Sequence, residues 1–79
     1  MSTLEKKLLA LSQGKELPWE QIVSLLSAYG IVVKPPRGGG SHHKIICEGH
    51  DTIIVPVHNG HIKRIYANKV ANLLNDLDK

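Results

Sequence analysis

The side chains best equipped for chemistry in this chain are gathered in one octet, Arg37-Gly38-Gly39-Gly40-Ser41-His42-His43-Lys44. Three consecutive glycines let the backbone pass close to another group and adopt positive φ, and a hydroxyl, two imidazoles and an ammonium follow at once. Such a loop can hold an anion. Histidine gains or loses a proton near neutral pH, so an imidazole at the mouth of a basic glycine loop suits acid or base chemistry beside a phosphate. An ordinary flexible loop has the same composition. Here, however, the apolar run Ile45-Ile46-Cys47 follows directly, so the octet opens onto structure.

Six elements are expected to position it. Ser2-Thr3-Leu4-Glu5 has the spacing of a capping box, and the helix it starts carries Leu4, Leu8 and Leu11 on one face, with Leu9 beside them, up to a stop at Gly14. Pro18 is tolerated in a first helical turn. Trp19, Ile22, Val23, Leu26 and Tyr29 then share a second helical face that ends at Gly30. Residues 31–34 form a short β-branched strand ended by Pro35-Pro36. Residues 42–48 and 52–57 form two more, joined by a hairpin at Gly49-His50-Asp51. Alternation puts Ile53, Val55 and Val57 on one face, and Pro56 marks an edge strand or a bulge. The same alternation puts His42 and His43 on opposite faces, so only one of them can meet a given ligand. After the turn at His58-Asn59-Gly60-His61, the basic step Lys63-Arg64 leads into a last helix with Ala67, Val70, Ala71, Leu74 and Leu77 on one face. This order predicts an α+β fold, a three-stranded antiparallel sheet with helices on one face.

Seventy-nine residues make one domain, and a chain of this size buries only about 60% of its unfolded surface. The single cysteine, Cys47, excludes an internal disulfide. The lack of a signal-like start or an 18-residue apolar run predicts a cytoplasmic chain with no membrane partner. Charge is uneven along the sequence. Residues 1–33 carry three Lys and three Glu and cancel. Residues 34–69 carry six cations (Lys34, Arg37, Lys44, Lys63, Arg64, Lys69) against Glu48 and Asp51, a net of +4, together with all five histidines. A polyanion such as nucleic acid is the natural partner.

The Trp19-Glu20 helix, Gly40-Ser41-His42-His43 opening a strand, Val55-Pro56-Val57-His58 after a short hairpin and Lys63-Arg64-Ile65-Tyr66 before the last helix form a fairly specific set. Over roughly residues 19–77 the chain resembles the HicA-type toxins, small mRNA interferases with a double-stranded-RNA-binding-domain-like fold. The first 15 residues then read as an N-terminal helical extension that many members lack, and residues 16–79 as the domain proper. A second departure is the Gly38-Gly39-Gly40 run after Pro35-Pro36-Arg37, where the family usually has a Lys-Gly or similar step.

The resemblance implies a toxin of a type II toxin–antitoxin system, linked to stress responses, that cleaves mRNA and is restrained by a HicB-type antitoxin. Contact with DNA is expected only through the antitoxin complex. The resemblance also makes His42 the functional histidine. RNA carries its own nucleophile in the 2′-hydroxyl, so an enzyme needs a base for that proton, donors for the charged transition state, and geometry. His42 suits the base, with no metal or other cofactor required. The expected RNA-binding groups are Arg37, the backbone of Gly39 and Gly40, Ser41, Lys44, His58, Lys63 and Arg64. His58 serves either to handle the leaving 5′-oxygen or merely to cap the strand end, and His43 should matter less than His42. The antitoxin is expected to cover His42 and to pair acidic groups with Arg37, Lys63 or Arg64.

Two other readings remain open at this level. Cys47-x-x-His50 and His58-x-x-His61 have zinc-like internal spacing. A non-catalytic RNA-binding module of similar fold would use the same basic surface and leave RNA intact.

Overall fold

The first helix, α1 (Thr3–Ser12), stops where the sequence supplies a residue that can turn left-handed. Gly14 has φ of +77°, and its N–H donates to Leu11 O at 3.1 Å while Lys15 N–H donates to Ala10 O at 3.0 Å. That bond pair closes the last helical turn and satisfies carbonyls the helix would otherwise leave orphaned. The second helix, α2 (Trp19–Ala28), ends in the same way, with Gly30 N–H on Ser27 O and Ile31 N–H on Leu26 O, both at 3.0 Å. The computed structural model describes residues 3–77, with side chains from Glu5 onward, so the expected Ser2 capping box lies outside the described residues.

Three strands follow, β1 (Val32–Lys34), β2 (His42–Ile46) and β3 (Ile53–Pro56), and then α3 (Arg64–Leu77). They form one antiparallel sheet in the order β1-β2-β3, so the architecture is the α+β arrangement expected from the sequence. Pro56 closes an edge strand, where its missing N–H removes no interior ladder bond. The strands are one to two residues shorter than alternation suggested. His50 N–H donates to Cys47 O at 3.1 Å, and that turn peels the chain off the ladder before Glu48. The last helix starts at Arg64, one turn ahead of the apolar stripe, because Lys63 O already accepts from Tyr66 N–H at 3.0 Å and Ala67 N–H at 3.1 Å.

The core lies between the sheet and the helices. Ile45 and Val55 from the sheet meet Ile22, Leu25 and Leu26 of α2, Val70 and Leu74 of α3, and Leu8 and Leu11 of α1. At roughly 1.5–3 kcal/mol for each fully buried large aliphatic side chain, this cluster is the main source of stability. Among the described residues nothing polar or charged is buried. Two positions differ from the sequence stripes. Leu25 is fully buried although it fell outside the α2 set, and Leu73 is buried while Leu77 is 37% exposed. Both α2 and α3 pack against α1 as well as lying over the sheet, so their buried sectors are wider than one stripe.

Candidate active site

On the opposite face of the sheet Val32, Lys34, His42, Lys44 and Ile54 are exposed, and no helix among the described residues covers them. The ladder arranges its residues in rows: Val32 beside Ile46, then Lys34 beside Lys44 beside Ile54, then His42 beside Pro56. Val32 and Ile54 are each 51% exposed. Alternation along β2 gives His42 and Lys44 to this face and His43 and Ile45 to the core side.

The chain reaches β2 through a 3₁₀ turn at Arg37–Gly39. Gly38 and Gly39 have φ of +70° and +81°, whereas Gly40 is extended at φ −71°, ψ −177°. A Cβ at Gly38 or Gly39 would meet nothing within 4 Å, so these two glycines answer a conformational demand and not a steric one. Ser41 then anchors the loop. Its carbonyl accepts from Val57 N–H at 2.8 Å and from His43 Nδ1–H at 3.1 Å. Because a carbonyl oxygen only accepts, His43 carries its proton on Nδ1. The His43 ring also sits edge-on to Trp19, centroids 5.3 Å apart at 65°. His43 is thus a strut on the covered side, and His42, next in the chain, is exposed on the other.

An open groove of about 570 Å³ is lined by Lys34, Arg37, Gly40, His42 and Lys44 together with the two prolines between β1 and the 3₁₀ turn. It brings together four of the residues singled out from sequence, Arg37, Gly40, His42 and Lys44. Lys34, counted among the cations of the basic segment but not among the expected RNA-binding groups, is a fifth member. Its signal was the strand register, since a β1–β2 hairpin pairing Lys34 with Lys44 sets both on the His42 face. Gly39 and Ser41 belong to the same loop behind the groove.

The remaining expected residues lie elsewhere. Val57 bonds Ser41, so His58 is at the His42 end of the sheet, but it does not line the groove. It pairs with His61 through two backbone bonds of 2.9 Å around Asn59-Gly60. Both central residues there have positive φ, 52° and 76°, as a two-residue hairpin turn requires. That small hairpin braces α2: Gly60 O accepts Trp19 N–H at 2.7 Å, and His61 Nδ1 lies 3.1 Å from Glu16 Oε1. Lys63 is exposed at the start of α3. Arg64 lies over the bare backbone of Gly14, where any Cβ would collide with its guanidinium, and helps line a separate cavity of about 320 Å³ with Glu16, Leu17 and Ile62. The two zinc-like pairs are not brought together either, because Cys47 and His50 precede β3 and His58 and His61 follow it. Among the described residues no three His, Cys, Asp or Glu side chains gather as metal ligands.

A family model described as the HicA toxin of bacterial toxin–antitoxin systems matches residues 19–76, from the first residue of α2 almost to the end of α3. The chain belongs to the HicA toxin family. It is therefore a toxin-family protein whose partner is a cognate antitoxin. No curated protein and no solved structure gives a match. Helix α1 of this HicA-family chain lies ahead of the matched span, yet it contributes Leu8 and Leu11 to the common core. No helix among the described residues is long and apolar enough to cross a membrane.

Proposed function

We propose that the protein is a metal-independent endoribonuclease, an mRNA interferase toxin, with His42 as the base that activates the RNA 2′-hydroxyl and a HicB-type antitoxin as its inhibitor. The observation that carries this reading is that His42, alone among the five histidines, lines the basic groove. Neutral His42 takes the 2′-OH proton, and the 2′-oxygen attacks phosphorus. The P–O5′ bond then breaks, and the 5′-oxygen is protonated by solvent or by the imidazolium. Arg37 and the loop backbone up to Gly40 supply positive charge and donors for the oxygens that gain charge in the transition state. A single-stranded substrate suits an open, shallow groove, where a splayed backbone can reach His42.

The test is to incubate the purified toxin with RNA in the presence of a chelator and to analyse the new ends. Products bearing a 2′,3′-cyclic phosphate, or the 3′-phosphate it opens to, with a free 5′-hydroxyl are expected. Ends with 5′-phosphate and 3′-hydroxyl would move the chemistry to an activated water. RNA that is bound but left intact by wild-type protein would favour the non-catalytic RNA-binding module.

A further inference from the structure

We infer that Lys34 and Lys44 form a two-lysine subsite for the phosphate adjacent to the scissile one, a single nucleotide step from His42 along an extended RNA strand. This rests on the RNA-cleaving reading of the same groove and adds to it the path of the substrate. Lys34 and Lys44 are direct partners in the antiparallel β1–β2 ladder, both are exposed, and both line the groove that holds Arg37 and His42. Like charges directly opposite on neighbouring strands are destabilising. Among the described residues neither ammonium takes part in an ion pair, and no carboxylate lines the groove. The repulsion is relieved when an anion settles between the two, and a phosphodiester is the anion that the neighbouring base acts on.

Spacing identifies which phosphate. His42 and Lys44 are two residues apart on one face of β2, a separation of about 6.6 Å at the usual strand rise of ~3.3 Å per residue. This is the scale of one internucleotide step in an extended chain. With the scissile phosphate at His42, the next phosphate along meets the lysine row. The row is also lopsided. On the β3 side Lys44 faces Ile54, which is 51% exposed, so the cationic half lies over β1 and β2, and the backbone leaves His42 toward β1.

The experiment uses an oligoribonucleotide spanning a mapped cleavage site, 2′-O-methylated at the attacking sugar to block reaction. A neutral methylphosphonate is then walked one linkage at a time along it. Wild-type, Lys34→Gln and Lys44→Gln proteins are compared by Kd and its salt dependence. For the fully charged oligonucleotide each substitution should weaken binding several-fold and reduce the salt slope, the two together by about 0.7, the share of the one single-strand phosphate they hold. With methylphosphonate at one linkage adjacent to the scissile phosphate, Lys34→Gln should lose its effect, and at more distant linkages the effect should persist. In cleavage assays Lys34→Gln should raise KM and leave kcat near wild type. Unchanged affinity in Lys34→Gln, or a loss that is the same wherever the methylphosphonate stands, would overturn the subsite and leave the nuclease reading untouched. A wild-type protein that cleaves no RNA would overturn both.

Discussion

His42 and His43 are chemically identical neighbours, and the sheet gives them opposite fates. His43 points to the covered face, where its ring is fixed by Ser41 O and by the edge-on contact with Trp19. His42 points to the open face and lines a cationic groove. The difference between the two faces is one of duty. The covered face holds the apolar cluster that keeps the domain folded, and the open face holds exposed charge, which contributes little to stability and is available for a ligand. Strand parity alone makes the assignment, so a slip of one residue in β2 would exchange the two roles.

The largest effect should come from substituting the two histidines in turn. His42→Ala should cut RNA cleavage by about 10²–10⁴-fold, the range of a lost general base, with the melting temperature unchanged. His43→Ala should do the reverse. It removes one side chain–backbone bond and one ring contact, together worth about 1–2 kcal/mol, and in a domain of this size that lowers Tm by about 4–8 °C per kcal/mol. Cleavage by His43→Ala should fall less than cleavage by His42→Ala. Equal losses of activity in both variants, with both still folded, would break the division between the faces.

On the covered side the sharpest comparison is Leu11→Ala against Leu9→Ala, neighbours but one on α1. Leu11 is fully buried and Leu9 is 45% exposed. Leu11→Ala should cost about 2–5 kcal/mol of unfolding free energy, while Leu9→Ala should cost a small fraction of that, both read by urea denaturation. A large loss at Leu11 would establish that α1, although it precedes the family match, is part of the folding unit of this chain. A small loss would return α1 to the status of an appendage.

Much of this division was legible in the residues. Period-two alternation placed Val55 inward and His42 opposite His43, and Gly14, Gly30 and Asn59-Gly60 announced their turns. Leu25 was not legible, because one stripe on α2 describes contact with one neighbour, and α2 has two. Lys34 was hidden for a different reason. In the sequence it is the last residue before Pro35-Pro36 and looks like a strand end, and only the register sets it opposite Lys44. Arg64 looked like part of a basic step with Lys63, but its side chain follows the first turn of α3 to the Gly14 corner, away from His42. Proximity across the sheet or between helix ends depends on pairing, which local patterns do not encode.

The smallest expected effects separate loop conformation from loop contact. Gly39 has φ of +81° and open space where a Cβ would go, so Gly39→Ala is strained by its backbone alone. Its cost should be about 1–2 kcal/mol, the penalty for an L-residue in the left-handed region. Part of that strain can be released by rearranging the loop, which would move Ser41 and with it His42. Gly40 is extended, and its Cβ would rest 3.7 Å from Pro36 Cβ, an ordinary contact. Gly40→Ala should therefore leave Tm within about 2–4 °C of wild type, since a surface change without strain stays within roughly 0.5 kcal/mol. Yet Gly40 lines the groove and Gly39 does not. If RNA passes close to the Gly40 backbone, the added methyl should raise KM in a protein of unaltered stability. Normal KM for Gly40→Ala, beside a raised KM for Gly39→Ala, would mean that the glycines serve only to shape the loop and that the substrate is held by the cations alone.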